Sequence, residues 1–219
     1  MVEIRRDFFH AGNPEVPNFL NGSKKVFFLV HPNYHETEGI KRLTGIYSHY
    51  PRYKKLVSLL LKKSKYPVLV AQDSRHLDSI PTSKNIFLIP TIDDGPVPSL
   101  QYYGDTSKQA WDHVFQLLKN NGVKRIVIGG SYAFYAPKKK LIRDLKNEAK
   151  LPPEKQRMPI NVRMIELMDN FKDNVLSLAC MSEAYAQLYK RARLEGINVS
   201  LAKKLEFPGD PVYRIKKRK

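Results

Sequence analysis

Val26-Phe27-Phe28-Leu29-Val30-His31-Pro32-Asn33-Tyr34-His35 changes character at one bond: five apolar residues run without interruption, and a polar cluster follows at once. A short, unbroken run of aromatic and β-branched residues reads as a strand covered on both faces, the signature of a parallel sheet between two helical layers. The same switch recurs at Val68 to Ala71, followed by Asp73-Ser74-Arg75-His76, and at Ile86 to Ile89, followed by Asp93-Asp94-Gly95. In an open α/β sheet the carboxyl ends of the strands form one crevice in which ligands bind, so these clusters are expected to converge on a single place.

Outward from this stretch, strands are expected at 25–30, 66–71, 86–90, 125–128 and 162–167, separated by helical patterns. Residues 52–63 follow Pro51, a good first-turn residue, and place Tyr53, Leu56, Leu59 and Leu60 at helical spacing. Residues 106–121 begin at a capping Asp105 or Thr106, direct Ala110, Val114, Leu117 and Leu118 inward, and stop at Gly122. Trp111 and Phe115 belong to the buried face of that helix. Further helices are expected over 138–150 and 173–195, the second ending at Gly196. This alternation implies parallel pairing and resembles Rossmann-like folds at large: a three-layer α/β sandwich with a mostly parallel sheet of about five strands. The chain is read as one domain over 1–219. Its first 24 residues, carrying Phe8, Phe9, Phe19 and Leu20, are too apolar for a loose tail and are expected to pack on the domain or on a second subunit of a homodimer. The three prolines of 152–159 mark an exposed loop, and 212–219 is a basic tail.

The chain has 219 residues, 42% hydrophobic, which fits a globular protein with a sizeable core. A single cysteine, Cys180, allows no intrachain disulfide and is read as a packing residue, in keeping with a reducing, cytoplasmic setting. No apolar run approaches the ~20 residues that span a bilayer, so no membrane partner is expected.

Charge is the strongest global signal. Lys and Arg number 38 against 21 Asp and Glu, a formal +17, which predisposes a surface to phosphates and nucleic acid. Residues 39–72 hold eight basic and no acidic side chains, whereas 73–112 hold six acidic and three basic ones. Two of the three strand-end clusters lie in that acidic island.

The chemistry expected there is metal-assisted. Asp73, Asp93 and Asp94 supply the carboxylate oxygens that Mg²⁺ or Mn²⁺ accepts, His76 or His31 a base, and Arg75 a phosphate clamp. Asp-Asp-Gly-Pro is also ordinary turn chemistry. His31 and His35 are four apart, but Pro32 makes their segment a loop rather than a helix face. Gly129, Gly130 and Ser131 follow a strand directly, and their backbone is expected to approach a phosphate or carboxylate cofactor group closely. Their spacing matches neither G-x-G-x-x-G nor the P-loop, and Ser131 lacks the second glycine of a nucleophile elbow. Basic and aromatic residues interleave over 47–55, a composition suited to a nucleic-acid backbone.

Two functions follow as expectations. One is a phosphate- or nucleic-acid-directed protein, in its enzymatic form a metal-dependent phosphoesterase or nuclease. The alternative is a non-catalytic nucleic-acid binder using helices 52–65 and 138–150 and the tail, or a nucleotide-binding Rossmann-like protein.

Overall fold

The computed structural model describes residues 5–33, 50–92, 96–131, 135–137, 139, 142–143, 146–147, 149–152, 175–177 and 180–207. In chain order the elements are α1 (Glu15–Leu20), β1 (Lys25–Val30), α2 (Tyr50–Lys63), β2 (Val68–Asp73), a 3-10 segment (Ser74–Ser79), β3 (Ile86–Thr91) and α3 (Leu100–Tyr103). There follow α4 (Ser107–Asn120), β4 (Arg125–Ser131), β5 (Tyr135–Pro137), β6 (Val175–Ser177), α5 (Cys180–Ala192) and β7 (Asn198–Phe207).

Five strands form one parallel sheet in the order β3-β2-β1-β4-β7, and β5 pairs antiparallel with β6 in a separate ribbon. The apolar run that opened the sequence is β1, the central strand, with neighbours on both sides. Alternation along each strand sends side chains to two cores. Val26, Phe28 and Val30 pack with Leu69, Ala71, Phe87, Ile89, Ile126 and Ile128 against Trp111, Val114 and Leu118 of α4, Met181 and Leu188 of α5, and Val16 and Leu20 of α1. Leu29 packs with Val68, Val70, Ile86 and Leu88 against Tyr53, Val57 and Leu61 of α2. The result is the three-layer Rossmann-like α/β fold. Trp111 is fully buried and Phe115 nearly so, as the helical spacing requires, and Cys180 is half-buried against the first core.

The N-terminal segment packs on its own chain. Phe8 bridges to Leu88 of β3, with the Leu88 amide donating to Asp7 O (2.7 Å) and the Phe9 amide to Leu88 O (2.9 Å). Phe9 and Leu20 are buried, and the Phe19 ring stacks on Phe87 at 4.2 Å. The segment thus occupies part of the backbone that β3, an edge strand, would otherwise present.

Three expectations are corrected. The strand expected over 66–71 begins only at Val68: Ser64 Oγ donates to Tyr66 O (2.7 Å), holding Tyr66 in a turn. Strand β2 instead runs on to Asp73, because β3 offers partners as far as Thr91. Strand β4 likewise does not stop at Ile128 but continues through Gly129 and Gly130 to Ser131, paired to β1 and β7. The helix expected over 173–195 begins only at Cys180, since Val175, Leu176 and Ser177 pair with Pro137, Ala136 and Tyr135. A tertiary partner decides the state of such a short apolar run. The fifth strand of the sheet is β7, which the sequence reading passes over. The strand expected at 162–167, the loop at 152–159 apart from its first residue, and the basic tail lie outside the described residues, as does much of the helix expected at 138–150.

Candidate functional site

Of the six buried polar side chains among the described residues, five sit at the carboxyl ends of the strands: His31 after β1, Gln72 and Asp73 in β2, Thr91 in β3 and Ser131 in β4. The strand order turns back between β1 and β4, the switch point at which α/β sheets place ligands.

Among the described residues, His31 is the one non-glycine residue whose φ (45°) lies in the left-handed region. Left-handed backbone is uncommon for a residue with a Cβ, although histidine enters it more readily than most, and such conformations concentrate at functional positions. Its amide donates to Ala71 O (2.8 Å), so β2 holds the bend, and its Nε2 lies 3.0 Å from Thr91 Oγ1 of β3. Burial drives its pKa down to about 4, while the Asp73 carboxylate pulls the other way. The imidazole is therefore neutral at pH 7 and able to accept a proton or a hydrogen bond.

Asp73 ends β2 and caps the 3-10 segment. Its Oδ1 accepts from the Arg75 amide (2.9 Å) and Arg75 Nε (3.0 Å), and its Oδ2 from Nε (3.1 Å) and from Nη2. The carboxylate is 1% exposed and the arginine side chain 54%, so a buried anion fixes the stem of a guanidinium that faces solvent. A fork held in this way presents N–H donors in the planar geometry that phosphate oxygens match. His76 lies half-buried on the 3-10 segment, where its carbonyl accepts from Ser79 Oγ (2.7 Å).

On the α2 side, the Tyr53 hydroxyl donates to Pro32 O (3.1 Å), which leaves Ser131 Oγ, 3.3 Å away, as donor to the tyrosine oxygen. Asn33 Nδ2 donates to Ser79 O (2.9 Å), tying the turn after β1 to the 3-10 segment. The two glycines before Ser131 serve close strand packing. A Cβ on Gly130, whose φ is 131°, would stand 2.1 Å from Val30 O, and one on Gly129 would stand 2.7 Å from Leu205 Cβ. Beside this edge a cavity of about 180 Å³ is lined by Asn33, Lys54, Val57, Ser58, Leu61, Lys62 and Pro81, an apolar floor with a hydroxyl and two cations at its rim.

The structure thus brings His31, Asp73, Arg75, Thr91 and Ser131 to one edge. Asp93, Asp94 and His35 lie outside the described residues. Among those described, no three His, Cys, Asp or Glu side chains are grouped as a metal ion requires. Thr91 and Gln72 are not among the residues the sequence points to, and Tyr53 is legible there only as part of helix 52–63 and its basic, aromatic start. Gln72 carries the one available signal, an amide interrupting an apolar run directly before Asp73. No helix is long and apolar enough to cross a membrane, among the described residues.

Fold and site together define a Rossmann-like α/β protein with its buried polar groups gathered at the carboxyl edge of the sheet. No family model, curated protein or solved structure matches the chain.

Proposed function

We propose that the chain is a phosphate-directed α/β protein that holds a phosphorylated ligand or nucleic acid at the carboxyl ends of β1 to β4. The concentration of buried polar side chains at that edge carries the reading, because each is costly to bury and the rest of the core is almost wholly apolar. Arg75, held by Asp73, is the phosphate clamp. His31 is a neutral hydrogen-bonding group or base beside it, and the formal +17 draws anions toward the surface.

Binding is favoured over metal-assisted hydrolysis by one observation: both Asp73 oxygens already accept from Arg75, so the carboxylate acts as the anchor of the guanidinium. In the hydrolytic form, Mg²⁺ or Mn²⁺ would be held by Asp73 with Asp93 and Asp94, and water would be activated beside His31 or His76. Thermal-shift titration with either ion, on wild type and on Asp93→Ala/Asp94→Ala, separates the two. A metal-dependent rise lost in the variant would put an ion at these carboxylates and favour the hydrolytic form, and no rise favours binding alone.

The test of the main reading is equilibrium binding of ribose 5-phosphate and of a 5′-phosphorylated oligonucleotide to wild type and Arg75→Ala. A loss of about tenfold or more is expected, in line with one charge-assisted contact. Unchanged affinity for both probes sinks it. A nucleic-acid form of the same reading is favoured by the cavity with Lys54, Ser58 and Lys62 on its rim, since α2 carries five cations and no acidic residue.

A further inference from the structure

We propose that the amino-terminal pole of the sheet, opposite the crevice, is a second binding surface, one that holds the backbone of a nucleic acid without reading its sequence. The proposal goes beyond the crevice reading and does not depend on it.

Cations stand where the strands begin. Lys24-Lys25 opens β1, Lys65 lies three residues before β2, Lys84 two before β3, and Lys124-Arg125 opens β4. Because these strands are parallel, all four entries lie at one pole. Hydrogen bonds between the entry segments hold them side by side. Asn85 Nδ2 donates to Ser64 O (2.9 Å), the Val68 amide to Asn85 O (2.8 Å), the Phe27 amide to Pro67 O (2.9 Å), and the Lys124 and Arg125 amides both to Lys24 O (2.9 Å). Neighbouring strands are about 4.8 Å apart, so the four entries line up their six cations along about 14 Å.

These charges are not neutralised within the protein. Lys25 is half-buried and the other five are exposed. Among the described residues, none of the six lies within ion-pair distance of a carboxylate, and Glu195, before β7, is already taken by Lys119 Nζ (2.8 Å). Lys25 Nζ stands 4.5 Å from the ring centroids of both Phe27 and Tyr66, and Lys65 Nζ 5.6 Å from that of Tyr66. Two ammonium groups thus share one ring, a crowding of like charge that a bound anion relieves.

A row of cations suits a linear polyanion, whose successive phosphates can meet successive strand entries. The Phe27 and Tyr66 rings are already engaged by Lys25, so the contacts on offer go to phosphates and carry no sequence information. An anionic membrane fits less well, because peripheral binding to lipid adds inserted apolar side chains to the cations, and the strongly exposed one near these entries is a single leucine, Leu194 (80%) before β7. The six residues of β2 put about 20 Å between this pole and the crevice, so a ligand held by Arg75 leaves these cations unneutralised.

The experiment is fluorescence anisotropy of a labelled, mixed-sequence single strand of about 20 nucleotides, without a 5′-phosphate, titrated with wild type over a salt series. It is repeated with Lys24→Gln/Lys65→Gln/Lys124→Gln and with the charge-matched control Arg52→Gln/Lys55→Gln/Lys108→Gln, taken from the starts of α2 and α4 at the opposite pole. All six substituted side chains are exposed, and melting points verify the fold. The pole variant should bind about tenfold more weakly or worse, and its slope of log affinity against log salt should flatten by about 2, the share of three phosphate contacts. Its affinity for ribose 5-phosphate should equal that of wild type. The control should lose less than half as much slope. No binding by wild type, an unchanged slope in the pole variant, or an equal loss in the control overturns the proposal, while the crevice reading stands or falls separately on ribose 5-phosphate and Arg75→Ala. Binding of phosphatidylserine-containing vesicles in place of the strand, lost in the pole variant, overturns it in favour of a membrane surface.

Discussion

His31 shows how far one residue departs from its sequence neighbourhood once folded. The run before it predicts a strand end, but nothing in the sequence indicates a buried neutral imidazole at positive φ, because that state depends on Ala71 and Thr91, which lie 40 and 60 positions away. Its pKa, lowered from 6.5 to about 4, makes a signed prediction. Between those values the unfolded chain binds more protons than the folded one, so the stabilisation is complete above pH 6.5 and is lost as the pH falls toward 4. The loss attributable to this residue is about 3 kcal/mol. Urea unfolding of wild type and His31→Gln across pH 7.5 to 4 checks it: the variant should be less stable at neutral pH and should lose less stability on acidification. Gly130 gives the complementary case, read in the sequence as backbone that approaches a ligand and found in the structure inside strand β4. Gly130→Ala forces a Cβ onto Val30 O at a φ of 131° and should cost about 3 kcal/mol or more, seen as a large drop in melting temperature.

Elements were legible where local chemistry and tertiary context agree. Helix α4 has its cap, apolar stripe and stop within one segment: Thr106 Oγ1 accepts from the Gln109 amide (3.2 Å), and Gly122 at φ 74° lets the Val123 amide return to Leu118 O. Thr106→Ala should therefore cost about 1 kcal/mol, measurable by chemical denaturation, with no change at the distant strand edge. Strand β6 was misread as a helical turn because Val175-Leu176-Ser177 is too short to carry a period, and its partner lies some 40 residues earlier. Strand β7 was passed over because Lys203 and Lys204 interrupt its apolar pattern, while its register with β4 shifts between Ile128 and Gly130. The N-terminal segment was expected to find a hydrophobic seat, and Phe9 does so at full burial. Phe9→Ala should lower stability by about 3–5 kcal/mol, and light scattering during refolding should rise as the β3 edge loses its cover.

For the whole molecule, charge and layering act together. A surplus of 17 positive charges cannot be placed by fold alone, but α2 brings Lys54 and Lys62 to one cavity rim beside the strand ends. If single-stranded nucleic acid lies there, the logarithm of its affinity should fall linearly with the logarithm of salt concentration. Lys54→Gln/Lys62→Gln should flatten that slope by about 1.4, the share of two phosphate contacts, as read by fluorescence anisotropy over a salt series. An unchanged slope would remove α2 from the interface.

The sequence by itself determined the α/β class, the buried strands β1 and β3, the helices α2 and α4, and the polar character of the strand ends, because apolar period and strand-end polarity are local properties of the chain. Only the tertiary structure decided the strand order, the identity of β6 and β7, the coupling of His31 to Thr91, the engagement of Asp73 by Arg75 and the gathering of cations at the strand entries. Each of these is a relation between segments whose contact depends on the closed sheet. Burial, which sets the charge state of His31, exists only once both helical layers cover that sheet.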